Sequence, residues 1–554
     1  MKKYLIFLIS LFIVNFAFNQ SITWDKTYNN EAVDRAWSIK QTNENGYIVA
    51  CSSSKGISDT TNIWIVKLNE YGDTIWTKTY SPSVSQGPRS IIETNEGNYV
   101  ISGYKSPSVN YFDFLIYAFK IDSVGNIRWE FEYPGGNQLG WDIVETYDGG
   151  YVILGINVAL IANEIFLIKL NQNGQMVWDK TYLFPSSPNL MYEIDETQDS
   201  GFILVGERHC NSGYQDIWLM KTDQHGDSTW TKSIDYDGHD YGHSIKQLAD
   251  GNYILSATGG ADNYGRNELL TYKLDQTGDI IWDRSYSGGV KYSYTTIIST
   301  IDDGFLTAGH IWQPIGSRGI FVFKQNSVGD SIWTRIFDRG ASSYAFDALQ
   351  TNDSGYIVCG KVSHDGAGWN QDALILKLNE NGLISLPPIQ LNPGFQFISS
   401  RIQPNNPDML IVLQDILNEN LDFVRNSNGE TLRKIGTNWV NGIGDWISTE
   451  GYMFKMNGVD EIGFTGVPLN PRGGIFLQMG YNFISYLPQS SIDALVAVED
   501  ILDNLDLVRN SSGNTLRKIG PNWVNGIGTL NPTEGYLLKM NNDDLLFYPL
   551  VSDN

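Results

Sequence analysis

DIWLMKTDQHGDSTWTKSI, residues 216–234, reads as two alternating apolar runs around a short polar turn, and EIFLIKLNQNGQMVWDKTY at 164–182 repeats it. Alternation with a period of two, broken by Gly and Asn or Asp, is the pattern of a β-hairpin. Aligned on the closing tryptophan, the hairpin recurs at Trp24, Trp76, Trp129, Trp178, Trp230, Trp282 and Trp333, with intervals of 52, 53, 49, 52, 52 and 51 residues. A fixed period near 52 marks a structural unit. Two further landmarks keep the same period. An aromatic residue opens an apolar run at Tyr47, Tyr99, Tyr151, Phe202, Tyr253, Phe305 and Tyr356, and a lysine stands late in the next run at Lys67, Lys120, Lys169, Lys221, Lys273, Lys324 and Lys377.

Within the second unit the alternation predicts strands over roughly 88–94, 98–103, 113–121 and 126–133. Four short antiparallel strands repeated seven times predict a mainly β fold, a seven-bladed β-propeller over residues 21–388. The first unit is split. ITWDKTY at 22–28 is a closing strand with no partners before it, and the seventh unit runs into NGLISLPPIQ, where Pro387 and Pro388 end the ladder. Residues 22–28 are therefore expected beside 372–378, closing the seventh blade.

After Pro388 the pattern changes. RNSNGETLRKIGTNWVNGIGDW at 425–446 returns 84 residues later as RNSSGNTLRKIGPNWVNGIGTL at 509–530, and EGYMFKM at 450–456 returns as EGYLLKM at 534–540. Two small tandem α+β modules, 391–472 and 473–554, are expected. Each has one helix, placed on PDMLIVLQDILNE and on DALVAVEDILDN.

The hairpin KLDQTGDIIW at 273–282 resembles the repeat of quinoprotein-type propellers, although it is one residue shorter before its glycine. The full unit, D-x-W-x-x-K-x-D-x-x-G-x-x-x-W followed by D-G-G-Y-x-x-x-G, more closely resembles propeller repeats of secreted Bacteroidetes-type proteins. The carboxy-terminal pair resembles a module found at the ends of such proteins. The resemblance implies a fold and brings no chemistry with it.

Residues 1–20, MKKYLIFLISLFIVNFAFNQ, carry two lysines and a short apolar run. They read as a signal peptide, so the mature chain is expected to be secreted or at the cell surface, without transmembrane insertion. Three cysteines, Cys51, Cys210 and Cys359, are too few for a disulfide framework. Lys and Arg total 38 against 62 Asp and Glu, a net charge of −24, which speaks against nucleic acid as a partner.

Chemistry is hard to locate from sequence. There is no G-x-S-x-G elbow, no catalytic residue is assigned, and neither a cofactor nor a metal is expected. His239 and His243 in DYDGHDYGHSI form the one close histidine pair, read as part of a polar loop. The longer connections are expected on one face and carry aromatic and histidine residues. Of these Trp312, Trp369, Tyr264, His310 and Tyr214 are the ligand-binding candidates. The leading expectation is a secreted, non-enzymatic binding or adhesion protein whose partner is a glycan or a cell-surface protein. The alternative is an extracellular polysaccharide lyase or glycoside hydrolase. A cluster of acid with Tyr, His or Arg across an axial pocket would favour the enzyme.

Overall fold

The computed structural model describes residues 21–549 except 57–59, 81–83, 107–112, 158–163, 184–188, 210–213, 261–266, 313–317 and 366–367. The expected signal peptide, Cys210 and Tyr264 lie outside the described residues. No helix among the described residues is long and apolar enough to cross a membrane.

Each 52-residue unit is an antiparallel four-stranded sheet. In the second unit the strands are Gln86–Glu93, Tyr99–Lys105, Leu115–Ile121 and Ile127–Tyr133. The second and third strands are buried on both faces, which is why they read as continuous apolar runs. The fourth strand alternates exposed and half-buried residues, because only one of its faces meets a neighbour. Trp24–Tyr28 supplies the fourth strand of the last sheet, pairing antiparallel with Gln371–Leu378 in a register that sets Trp24 against Lys377.

The expected seven-bladed β-propeller is corrected by this topology: among the described residues no sheet closes on itself into a propeller or barrel. The hydrogen-bonded ladder stops after four strands in the second to fifth units. The sixth, seventh and first units are linked by single parallel bridges, Arg318 to Ser342 and Val33 to Gln371, into one open twelve-stranded sheet. What remains is a mainly β architecture of small antiparallel sheets held together by side chains. The first strand of each unit packs on the first strand of the next, and that of the seventh, Ser342–Gln350, packs on that of the first, Val33–Gln41.

Side chains at two fixed positions join the units, and a third braces each unit internally. Each repeated tryptophan covers the positive-φ glycine of the following hairpin, as Trp24 covers Gly72, Trp129 covers Gly174 and Trp333 covers Gly382. The indole N–H of Trp24 donates to the Glu70 carbonyl at 2.9 Å. The repeated lysine pairs with the acid of its own tight turn, for example Lys169 with Asp148 at 2.6 Å and Lys324 with Asp302 at 2.8 Å. The last residue of several first strands accepts from a turn N–H of the preceding unit. Gln247 takes that of Gln198 at 2.7 Å, and Gln41 takes that of Asn352 at 2.9 Å.

The two carboxy-terminal segments form matching five-stranded sheets. Their spatial orders are Gly394–Ile398, Tyr452–Met456, Leu421–Arg425, Thr431–Ile435, Asn438–Asn441 and Gly480–Ser485, Gly535–Met540, Leu505–Arg509, Thr515–Ile519, Asn522–Asn525. The expected α+β character is also corrected. Helix is limited to one turn each at Met409–Val412 and Ala494–Ala497, followed by 3-10 turns. One α-turn and one 3-10 turn already bury Met409, Leu413 and Ile416, so the apolar spacing is satisfied without a longer helix.

Asp25, on the amino-terminal strand, fixes these sheets to the repeated ones. It is buried and accepts from Arg401 at 2.7 and 3.2 Å, from Arg339 at 2.9 Å and from Gln489 at 3.0 Å. Burial pushes its carboxyl upward, but the two guanidinium charges outweigh this and hold it below the usual aspartate value.

Candidate functional site

Every first strand carries a β-bulge, and each bulge falls at the same place in the repeat. The register slips at Trp37, Arg89, Trp141, Tyr192, His243 and Phe346, and across Tyr294 and Thr295 in the sixth unit. A bulge adds one residue and re-aims its side chain. It also drives a carbonyl into the second strand: a Cβ on Gly206 would stand 1.8 Å from the Leu190 oxygen, and one on Gly360 would stand 1.7 Å from that of Tyr344. The last glycine of the D-G-G-Y-x-x-x-G motif is therefore the space that the bulge requires.

The bulged side chains line a cavity of about 1180 Å³ enclosed by the seven first strands. They touch in a closed circuit. Trp37 stacks on Phe346 at 4.6 Å, and Arg89 lies over Trp37 at 4.3 Å and over Trp141 at 4.7 Å. Trp141 meets Tyr192 at 5.7 Å, Tyr192 meets His243 at 6.4 Å, and His243 meets Tyr294 at 6.4 Å. His310 and Tyr344 complete the circuit, with centroids 5.5 Å from Tyr294 to His310 and 4.5 Å from His310 to Tyr344. Tyr294 holds φ at 48°, a left-handed conformation that is costly for an aromatic residue, and its ring is 60% exposed.

Charge divides the cavity along its length. Toward the tight turns, Asp142, Glu193, Asp195 and Asp347 are already engaged. Lys246 sits 2.9 Å from Glu193 and 3.5 Å from Asp195, Lys40 sits 3.1 Å from Asp347, and backbone N–H groups of Ile39, Ile194 and Ile245 donate to the carboxylates of Asp347, Asp142 and Glu193. Burial opposes the Lys246 charge, yet Glu193, Asp195 and Asp142 outweigh it and hold its pKa above the ordinary lysine value. Toward the longer connections the lining carries Arg89, Lys291 and Lys361, with Glu207 as the carboxylate.

Burial sets the protonation states in this cationic half. His243 is pushed down to about 4, and the threonine hydroxyl of Thr258 lies 2.9 Å from its Nε2. His310 is pushed down to about 3 by burial and then by Arg318 and neighbouring cations, and its buried Nδ1 has no hydrogen-bond partner among the described residues. Lys361 is lowered to about 7 by burial, with Arg35 and Arg318 adding repulsion. Glu207 is raised to about 7 by burial and is hydrogen-bonded to Tyr192, whose own pKa goes up. Near neutral pH the half therefore holds two uncharged imidazoles, a lysine near its titration point, an acid that can carry a proton, and a fixed guanidinium.

Of the candidates named from sequence, His310 lies in this cavity wall. Trp312 stands at the end of the same strand, 37% exposed, with the Arg318 guanidinium 3.4 Å from its ring centroid. Trp369 is exposed, its N–H donating to Asp365, and among the described residues no ring contact joins it to Trp312. Tyr214 is half exposed and packs edge-on against His239 at 5.1 Å. His239 meets Gln215, whereas His243 faces the cavity, so the histidine pair is divided and the polar-loop reading is corrected for His243. Among the described residues no group of three His, Cys, Asp or Glu is placed to hold a metal ion. The circuit of bulged residues escaped the sequence reading, although 37, 89, 141, 192, 243, 294 and 346 keep the repeat period. All but Arg89 carry an aromatic or imidazole ring, so a ring recurring at the repeat period was the signal available in the sequence.

No family model and no curated protein matches the chain. Solved structures that resemble it include an ulvan lyase of a polysaccharide lyase family, bound to a GlcA–Rha3S unit, at 10% identity and TM-score 0.41 over 64% of this chain and 97% of that one. A copper-bound fungal alcohol oxidase matches at 10% identity and TM-score 0.41, over 81% of this chain and 98% of the other. An endo-arabinase from Bacteroides thetaiotaomicron matches at 12% identity and TM-score 0.31, over 43% and 92%. The resemblances to Bacteroidetes-type and quinoprotein-type repeats are accordingly withdrawn, since the matches are distant and of several kinds. The preference for a non-enzymatic protein is withdrawn as well, since the solved structures named here are enzymes. With TM-scores this low the choice rests on the cavity.

Proposed function

We propose that the protein is an extracellular polysaccharide lyase that cleaves an acidic, uronate-containing chain in the central cavity. The observation that carries this reading is the placing of Arg89, neutral His243 and the flanking Tyr192 and Tyr294 around one cavity. β-Elimination beside a uronate needs three things: a cation to draw charge from the carboxylate, a base for the C5 proton, and an acid for the departing oxygen. Arg89, held over the rings of Trp37 and Trp141 at the cavity wall, supplies the first. His243, unprotonated at neutral pH, takes the C5 proton. The electron pair forms the C4–C5 double bond as the C4–O bond breaks, and a tyrosine hydroxyl, Tyr294 or Tyr192, protonates the leaving oxygen. Glycoside hydrolysis would need two free carboxylates facing each other, and the carboxylates of the acidic half are engaged with lysines and backbone N–H groups.

The test is an assay of acidic and neutral polysaccharides for a product with the near-ultraviolet absorbance of a conjugated unsaturated uronate. We expect turnover of an acidic chain, falling about 10²–10⁴-fold in His243→Ala. New reducing ends without unsaturation would point to hydrolysis, and no turnover of any acidic chain would defeat the reading.

A further inference from the structure

The two carboxy-terminal sheets each leave one face uncovered, and the residues on that face repeat. In the first sheet a cross-strand row runs Phe395, Lys455, Phe423, Arg433, Val440 across all five strands. In the second the row is Tyr481, Lys539, Leu507, Arg517, Val524. Phe395 is 54% exposed and Tyr481 61%, values that an aromatic residue packed against protein would not show. Arg425 and Arg509 occupy matching places one row along, also exposed.

Charge supplies a second observation. In a chain of 62 acids and 38 bases, the repeated sheets spend their lysines on carboxylates, as at Lys67, Lys120, Lys221 and Lys377. Among the described residues Arg425, Arg433, Arg509 and Arg517 form no ion pair, although all four are exposed. Lys455 lies over the Phe395 ring at 4.6 Å, whereas its counterpart Lys539 pairs with Asp506 at 2.7 Å, so the arginines are the unpaired cations common to both rows.

The two faces also meet. Phe397 and Phe483 touch at 5.1 Å, the Phe397 N–H donates to Ser511 at 2.7 Å, and the Phe483 N–H donates to Ser427 at 2.7 Å. Ile398 bridges Glu534 and Ile484 bridges Glu450. Residue and partner exchange roles across the junction, which is the contact pattern of an approximate two-fold axis.

We propose that this joined surface binds an acidic polysaccharide at two equivalent subsites, with rings against sugar faces and arginines against uronate or sulfate groups. One recognition surface written twice in a single chain suits a ligand whose epitopes also repeat, and linking two subsites raises avidity without new contacts. The unpaired arginines select the anionic kind of polymer. The inference stands whether or not the central cavity is catalytic.

The experiment measures retention of the full chain on polygalacturonate, chondroitin sulfate, dextran and phosphatidylglycerol vesicles. Binding to an acidic polysaccharide, weakened by salt and absent on dextran, is expected. R425E/R433E should weaken it about 10²-fold, and adding R509E/R517E should remove it while the near-ultraviolet circular dichroism stays unchanged. With His243→Ala as the background, so that no polymer is cleaved, Arg89→Gln should leave retention intact, which separates this surface from the cavity. Undiminished retention of the folded quadruple variant, equal retention on dextran, or capture by vesicles and not by polymer would overturn the proposal.

Discussion

Glu207 and His243 face the same cavity yet respond to pH in opposite directions. Burial raises the Glu207 carboxyl from 4.5 to about 7. Between those values the folded chain keeps a proton that the unfolded chain has released, so stability falls as pH rises through the window. Glu207→Gln should remove this dependence, and urea midpoints should show the variant gaining on the wild type as pH rises from about 5 to about 8. His243 is lowered from 6.5 to about 4, so the unfolded chain binds the extra proton and stability is lost as pH falls through that interval. His243→Ala should flatten the acid limb. Both effects follow from position: each side chain reaches the cavity because its strand bulges or ends there.

At the scale of the element, the hairpin glycine and the tryptophan of the preceding sheet form one unit of packing. A Cβ on Gly174 would stand 2.4 Å from the Trp129 ring, whereas one on Gly149 would meet nothing within 4 Å, and both residues have φ near 75°. Gly149→Ala should cost the left-handed backbone strain, about 1–2 kcal/mol. Gly174→Ala should cost about 1–3 kcal/mol more through overlap with the indole. Equal urea midpoints for the two variants would show that the ring does not bear on the glycine. The same comparison explains why the D-x-x-G spacing is fixed in the sequence while the residues between vary.

For the whole molecule, Asp25 ties the amino-terminal strand to Arg339, between the repeated sheets, and to Arg401 and Gln489 in the carboxy-terminal ones. Removing one member of a buried ion network leaves charge uncompensated, so Asp25→Ala should lower stability by about 3–5 kcal/mol. Limited proteolysis of the variant should release the carboxy-terminal sheets at a denaturant concentration where the wild type stays intact. Deletion of residues 21–28 should act separately, since it strips the fourth strand from the last sheet and exposes an open edge. Concentration-dependent aggregation is the expected readout.

The sequence by itself determined the strands, their grouping in fours, the period of 52 and the 84-residue duplication, because each rests on local alternation and turn chemistry. It also marked the tryptophan, glycine and lysine positions, whose partners lie at fixed offsets. It misjudged the closure of the sheets and the helices at 409 and 494, since ladder ends and helix lengths are set by what packs against them. The candidate site was least legible. Trp37, Trp141, Tyr192, His243, Tyr294 and Phe346 all carry rings, a pattern that in sequence cannot be told from strand packing, and with Arg89 they converge only because seven bulged strands face one cavity. Burial there, and not residue type, moves His243, Lys361 and Glu207 toward useful protonation states. Such burial exists only once distant units have packed together.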